Sequence, residues 1–225
     1  MISRGLLLAA ALGFASASCT APAAAENIVA APAAKRQSAE NGGLKTAIFA
    51  GGCFWGVEAV FSHMKGVTSA VSGYHGGTQQ AAKYDIVSSG VTDHAEAVKV
   101  TYDPKIVRYD ELLRVFFSVV ADPTLKNRQG PDVGTQYRAA LVPVSGEQNT
   151  VAKAYLAQMK ASGLWKAPIL TGIERAQGFY RAEAYHQDFA LKNPNHGYIK
   201  RWDAPKVAAL QRLYPSLYRA GFQRN

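Results

Sequence analysis

Thr46-Ala-Ile-Phe-Ala-Gly-Gly-Cys-Phe-Trp-Gly-Val-Glu58 changes periodicity half-way along its length. The apolar run Ala47 to Ala50 reads as a strand. Gly51 and Gly52 then allow a sharp turn. Beyond Cys53, the residues Val57, Val60, Phe61 and Met64 recur at three- and four-residue spacing, which is the signature of a helix face. The stretch predicts strand, tight turn and helix, with Cys53 near the helix N-terminus. Backbone N–H groups there have no helical partner, and the macrodipole is positive. Both effects predict a lowered thiol pKa and a nucleophile at neutral pH. A lone cysteine is more often an inert small core residue. The glycine pair before it and the aromatic pair after it favour the nucleophile.

Downstream, Gly66 is expected to end the helix. Val67 to Tyr74 reads as a strand that His75-Gly76-Gly77 breaks. Ala81 to Ser89, with Tyr84, reads as a turn or brief helix. Ala95 to Tyr102 alternates as a half-buried strand. Tyr109 to Val120 carries Leu112, Leu113, Phe116, Phe117 and Val120 on one helical face. Asp122 to Thr135 is a loop and Gln136 to Val144 a strand. Ser145-Gly-Glu-Gln148 has the form of a capping box, opening a helix to about Ser162. Ile169 to Glu174 reads as a strand, Arg181 to Lys192 as a helix and Ala204 to Leu213 as a final short helix. Strands and helices mix without a repeat. The expectation is one α+β domain: a two-layer, ferredoxin-like sandwich with a central mixed or antiparallel sheet flanked by helices.

The chain has 225 residues, enough for one substantial core. Its 48% hydrophobic and 18% charged content is that of a globular protein, which argues against a largely disordered chain. The net charge of +9 comes from scattered Lys and Arg without a dense basic run. No nucleic-acid motif accompanies it, so solubility is its simplest meaning. Cysteine occurs twice, at Cys19 and Cys53, which excludes a disulfide framework. No Cys/His spacing suggests a metal, and no bound cofactor is expected. Residues 1–25, with Arg4, an apolar run and Ala23-Ala24-Ala25, read as a signal peptide. Residues 26–43 are Ala/Pro/polar and read as a disordered linker, with the domain spanning 44–225. Export is implied, with the periplasm as destination; an alternative is a lipoprotein anchored through Cys19.

Cys53 needs a partner that handles protons. Asp93-His94-Ala-Glu96 stands at the start of a strand, and a carboxyl group in an apolar pocket stays protonated near neutral pH. Glu96 reads equally as a solvated strand end, and Asp132 as a turn residue. Tyr84 and Tyr137 are hydroxyl donors or core aromatics. The residues Gly-Cys-Phe-Trp-Gly around Cys53, then Gly-Tyr-His-Gly-Gly, His-Ala-Glu-Ala-Val, Tyr-Asp-Pro, Gln-Gly-Pro-Asp-Val-Gly-Thr-Gln-Tyr-Arg and Tyr-His-Gln-Asp, stand in this order from about Thr46 to about Pro205. Together they resemble the type A peptide methionine sulfoxide reductases.

The resemblance implies that the Cys53 thiolate attacks the sulfur of methionine-S-sulfoxide and becomes a sulfenic acid. Glu96 would protonate or hydrogen-bond the sulfoxide oxygen, and the hydroxyls of Tyr84 and Tyr137 would hold it. Phe54 and Trp55 would wall in the S-methyl group, and Asp132 would join the hydrogen-bonding network. The implied partners are oxidised proteins or peptides and an external thiol reductant, a thioredoxin-like protein or a dithiol, acting on a monomer. Two departures stand out. Many family members carry further cysteines near the C-terminus, whereas Lys192-Asn-Pro-Asn-His-Gly-Tyr-Ile-Lys-Arg-Trp-Asp203 has none. A one-cysteine cycle is therefore expected. Ala121 stands before Asp122-Pro123, where relatives often have His. His186 is read as a structural hydrogen-bonder. The rival readings are a thiol peroxidase or cysteine hydrolase, and a non-catalytic exported protein that binds methionyl peptides.

Overall fold

The computed structural model describes residues 28–224; the expected leader, including Cys19, lies outside them. In chain order the elements are β1 (Lys45–Gly51), α1 (Phe54–Ser62), β2 (Val67–His75), α2 (Tyr84–Ser88), β3 (Ala95–Tyr102) and α3 (Tyr109–Val115). A small hairpin of β4 (Arg128–Gln129) and β5 (Asp132–Val133) follows. Then come β6 (Ala139–Val142), α4 (Gly146–Ala161), β7 (Gly172–Ile173), β8 (Phe179–Arg181), α5 (Phe189–Lys192) and α6 (Ala204–Leu213).

Six strands form one sheet in the order β7-β6-β1-β3-β2-β8. Neighbours are antiparallel except β6 and β7, which are parallel, so the sheet is mixed. Its inner four strands have β3 inserted between β1 and β2, the split β-α-β arrangement of the ferredoxin-like sandwich expected from the sequence.

Period-two alternation sorts the two faces. Ala47, Phe49, Val98, Val100 and Tyr102 turn to the helices and are fully buried with Val57, Phe61, Leu112 and Phe116. Phe49 stacks on Phe61 at 4.8 Å and on Phe116 at 5.7 Å, a block of aromatic area that fixes α1 and α3 over β1. The other face holds a thinner layer of Ile48, Ala50, Ala95, Ala97, Ala140 and Val142.

Several expected boundaries move. α1 ends at Ser62, and Gly66 (φ +85°) instead closes the turn into β2. The helix over Tyr109–Val120 is present, but its last five residues, Phe116–Val120, widen into a π-helical turn. Of the strand expected over 136–144 only Ala139–Val142 pairs, because Thr135–Tyr137 forms a 3₁₀ turn. Half of the capping box is present. Ser145 accepts from Gln148 N–H at 3.2 Å, while Gln148 Oε1 reaches past Ser145 to Val144 N–H at 3.0 Å.

The helix expected over 181–192 is not there. Phe179–Arg181 is an edge strand paired with β2, and only Phe189–Lys192 is helical. Tertiary hydrogen bonds override the local propensity. The Gln187 amide bonds both backbone groups of Ser72, at 3.1 and 3.0 Å, and Asp188 takes φ +55°, a left-handed turn that no helix continues through.

Residues 28–43 carry no helix or strand, yet they are tied down rather than disordered. Ala31 is fully buried and its carbonyl accepts from Arg114 Nε at 2.8 Å. Tyr155 donates to Pro32 O at 2.7 Å, and Ser38 N–H donates to Asp110 at 2.9 Å. After Ile28 and Val29 the segment lacks large apolar residues, but its backbone polar groups find partners on α3 and α4.

Candidate active site

Cys53 is the N-cap residue of α1. The turn before it depends on Gly52, whose φ of +88° favours glycine. A Cβ at Gly52 would also sit 2.5 Å from Gln129 Cβ. Gln129 is held in turn by Asp122, whose N–H donates to Gln129 Oε1 at 2.8 Å and whose carbonyl accepts from Gln129 Nε2 at 2.9 Å. The β4–β5 hairpin is thereby pressed onto the glycine turn.

The result is a cavity of ≈ 140 Å³ lined by Cys53, Phe54, Trp55, Tyr84, Glu96, Asp132, Tyr137 and Tyr198. Each side chain is delivered by its own local device. Glu96, in the first turn of the pleat of β3, is buried, and its Oε2 accepts from Phe54 N–H at 2.9 Å. Tyr84 starts α2, and its N–H donates to Glu183 Oε1 at 2.9 Å while Glu183 Oε2 accepts from Tyr74 at 2.8 Å. Tyr137 ends the 3₁₀ turn. Asp132, in β5, accepts a hydrogen bond from the Tyr198 hydroxyl. The seven residues expected from the sequence thus share one cavity, and Tyr198 joins them.

Electrostatics there run against one expectation. The Cys53 thiol is pushed well above its ordinary pKa, not lowered. Burial is the main cause, followed by the carboxylates of Glu96 and Asp203, with Asp132 adding to them; a hydrogen bond from Trp55 N–H opposes. One helix-terminal N–H does not outweigh desolvation and three acidic neighbours. Glu96 is raised to about 8 by burial, against the Phe54 N–H bond, so it carries its proton at neutral pH. Burial also raises Tyr84 and Tyr137, which remain hydroxyl donors. Asp132 is raised by burial and held back by the Tyr198 hydroxyl.

The walls are aromatic. Phe54 is buried, with its ring 5.8 Å from Tyr74. Trp55 stacks on Phe189 at 3.7 Å and meets Tyr198 edge-on at 5.8 Å. His186 sits behind this layer: its Nδ1 accepts from Trp55 Nε1 at 3.1 Å, and burial lowers its pKa. A neutral imidazole that fixes an indole is a structural hydrogen-bonder, as expected. Ala121 packs with Val120 against Gly51 beneath β1. Among the described residues no His/Cys/Asp/Glu cluster has the makeup of a metal site.

A family model described as peptide methionine sulfoxide reductase matches residues 45–216. The chain belongs to the type A peptide methionine sulfoxide reductases. The peptide methionine sulfoxide reductase MsrA 2 of Mesorhizobium japonicum is 53% identical over 176 residues, covering 78% of this chain and 90% of its own. The MsrA of Deinococcus radiodurans is 49% identical over 75% of this chain and 81% of its own. Among solved structures, reduced Mxr1 from Saccharomyces cerevisiae matches with a TM-score of 0.58 and 33% identity, over 72% of this chain and 92% of its own. Methionine sulfoxide reductase A of Corynebacterium diphtheriae matches with a TM-score of 0.57 and 30% identity, over 76% and 88%.

Two residues of this site carry no local mark in the sequence. Tyr198 lies in the segment noted only for its lack of cysteines. Nothing local marks it, because its partner Asp132 is reached only through the fold. Glu183 is hidden for the same reason: it lies within a predicted helix, yet it anchors Tyr84 and Tyr74.

Proposed function

We propose that this chain reduces methionine-S-sulfoxide, in proteins and peptides, to methionine with Cys53 as the nucleophile. The observation that carries the reading is the convergence on one small cavity of a thiol, a protonated carboxyl group and two phenols beside an aromatic wall. The cavity has room for the CH₃–S–O end of the side chain. The methyl group meets Phe54 and Trp55. The oxygen, on which charge builds as its sulfur is attacked, meets Glu96, Tyr84 and Tyr137. Asp132, fixed by Tyr198, keeps the far wall polar. A chiral arrangement of donors and apolar wall accepts one epimer.

The sulfoxide oxygen ends on the Cys53 sulfur with one proton, and methionine leaves as the thioether. Thiol plus sulfoxide gives sulfenic acid plus thioether, with atoms and electrons balanced. An external thioredoxin-like protein or dithiol then reduces the sulfenic acid: two thiols become a disulfide, and water leaves. No second cysteine in the residues matched to the family competes for that step. The reading places the chain outside the cytoplasm, in the periplasm, repairing exported proteins as a monomer; the leader-like residues 1–25 support the export alone. A hydrolase would need a histidine base at the thiol, and none lines the cavity.

The test is incubation of the protein with a racemic methionine-sulfoxide peptide and dithiothreitol, followed by chiral chromatography. Loss of the S epimer alone, abolished by Cys53→Ser, is expected. Survival of both epimers in the presence of folded protein refutes the reading.

A further inference from the structure

Outside the cavity, the guanidinium of Arg138 gathers four residues from three pieces of chain. Its Nε and Nη2 bond the two Glu174 oxygens at 2.7 and 3.1 Å, a bidentate fork. Nη2 also donates to Asp93 O at 3.1 Å. Nη1 donates to His94 O at 3.2 Å and to Thr135 O at 3.1 Å. Thr135 begins the three-residue turn that ends in Tyr137, and Asp93-His94 leads directly into the strand that carries Glu96. One planar side chain therefore bolts the Tyr137 turn to the Glu96 strand.

The bolt has its own anchor. Glu174 lies just past β7, its N–H donating to Leu141 O of β6 at 2.9 Å. Its Oε2 also lies 3.4 Å from His75 Nε2, at the end of β2. Burial would raise the Glu174 carboxyl, but His75 and Arg138 hold it down to about 2. Glu174 therefore keeps its negative charge throughout the working pH range. None of these atoms lines the cavity, so the group does no chemistry itself.

We propose that Arg138, locked by Glu174, is a positioning residue that sets the Tyr137 hydroxyl against Glu96. Removing it leaves the cavity's own donors and wall in place but frees the turn that aims one donor. The consequence for catalysis rests on the proposed sulfoxide reduction. Misplacing a catalytic group by about 1 Å costs ~10²-fold in rate, and a wandering Tyr137 should be lost from kcat more than from KM.

A cycle of Arg138→Met, Tyr137→Phe and the double variant tests this, with Arg138→Lys replacing the Met variant if that one does not fold. Lysine keeps the charge and loses the fork. The expected result is a kcat loss of ~10²-fold in each single variant, with the double variant no worse than the poorer single. Losses that multiply in the double variant overturn the proposal, because Arg138 would then act independently of Tyr137. The second readout needs no turnover: the Tyr137 ring resonance in ¹³C-tyrosine-labelled protein. It should shift or broaden in Arg138→Met while those of Tyr109 and Tyr155 stay put; an unmoved Tyr137 resonance overturns the proposal. A wild-type protein that consumes neither epimer refutes the reductase reading instead, and the resonance still decides where Arg138 holds Tyr137.

Discussion

Replacing Glu96 by Gln should stabilise the protein and disable it at once. The Glu96 carboxyl titrates at about 8 in the fold against 4.5 when unperturbed. The folded state therefore holds this proton more tightly than the unfolded state does. Linkage then fixes the sign: the group's contribution is most favourable below the unfolded pKa and declines as pH rises towards the folded one. Each pH unit across that window costs ~1.4 kcal/mol. At pH 7 the buried carboxyl costs the native state roughly 3 kcal/mol, and above pH 8 roughly 5 kcal/mol. Gln is isosteric, carries no charge, and keeps an oxygen to accept from Phe54 N–H. Urea unfolding of both proteins at pH 5, 7 and 9 measures the difference. The variant should gain less than ~1 kcal/mol at pH 5 and progressively more at 7 and 9. At pH 7 its sulfoxide turnover should fall ~10²–10⁴-fold, as expected for a lost general acid. A stability gain that is the same at all three pH values, or a variant less stable than wild type at pH 9, refutes the assignment of a buried, protonated Glu96.

Alkylation of Cys53 by iodoacetamide, followed by mass spectrometry, should be slow at pH 7 and still be accelerating at pH 9, because burial and acidic neighbours raise the thiol; a plateau reached below pH 8 contradicts this. His186→Asn should leave kcat/KM unchanged, since its Nδ1 is already occupied by the Trp55 indole; a tenfold loss in a folded variant would bring His186 into the chemistry. Gly52→Ala should cost at least ~2 kcal/mol in thermal unfolding, from left-handed backbone strain and the clash with Gln129; an unchanged Tm removes the argument that the turn requires glycine.

The parts of the fold legible in the sequence are those set by local pattern. β1, α1, β2 and β3 announce themselves because their periodicities switch cleanly and because glycines punctuate them. The seven expected cavity residues were found through motif blocks, and the fold gathers them around one cavity. What stayed hidden depends on distant partners. The side chain of Gln187 satisfies the backbone of Ser72, so a helical pattern became an edge strand and turns. Tyr198 means nothing until Asp132 is beside it. The direction of the thiol shift is hidden as well, because a helix N-terminus is visible in sequence, whereas the depth of burial and the approach of Glu96 and Asp203 are not.

The raised thiol changes how the proposed reaction depends on pH. Thiol plus sulfoxide gives sulfenic acid plus thioether, with no net proton taken up or released. A resting site in which Cys53 and Glu96 are both protonated already holds the right number of protons. In the proposed reaction Glu96 would give its proton to the oxygen, and the thiol's proton would replace it. Charge separates only while a sulfoxide is present to use it. A thiolate standing permanently in that site would instead be opposed by burial and by the acidic neighbours Asp203 and Asp132. The single-turnover rate of sulfoxide reduction should therefore be level from pH 5 to about 7.5 and fall as Glu96 deprotonates near 8. Rapid-quench measurement of methionine formed in one turnover gives this profile directly. A rate that climbs tenfold per pH unit between 6 and 8 would mean that the thiolate must form before the sulfoxide binds, and the neutral resting site would have to be abandoned.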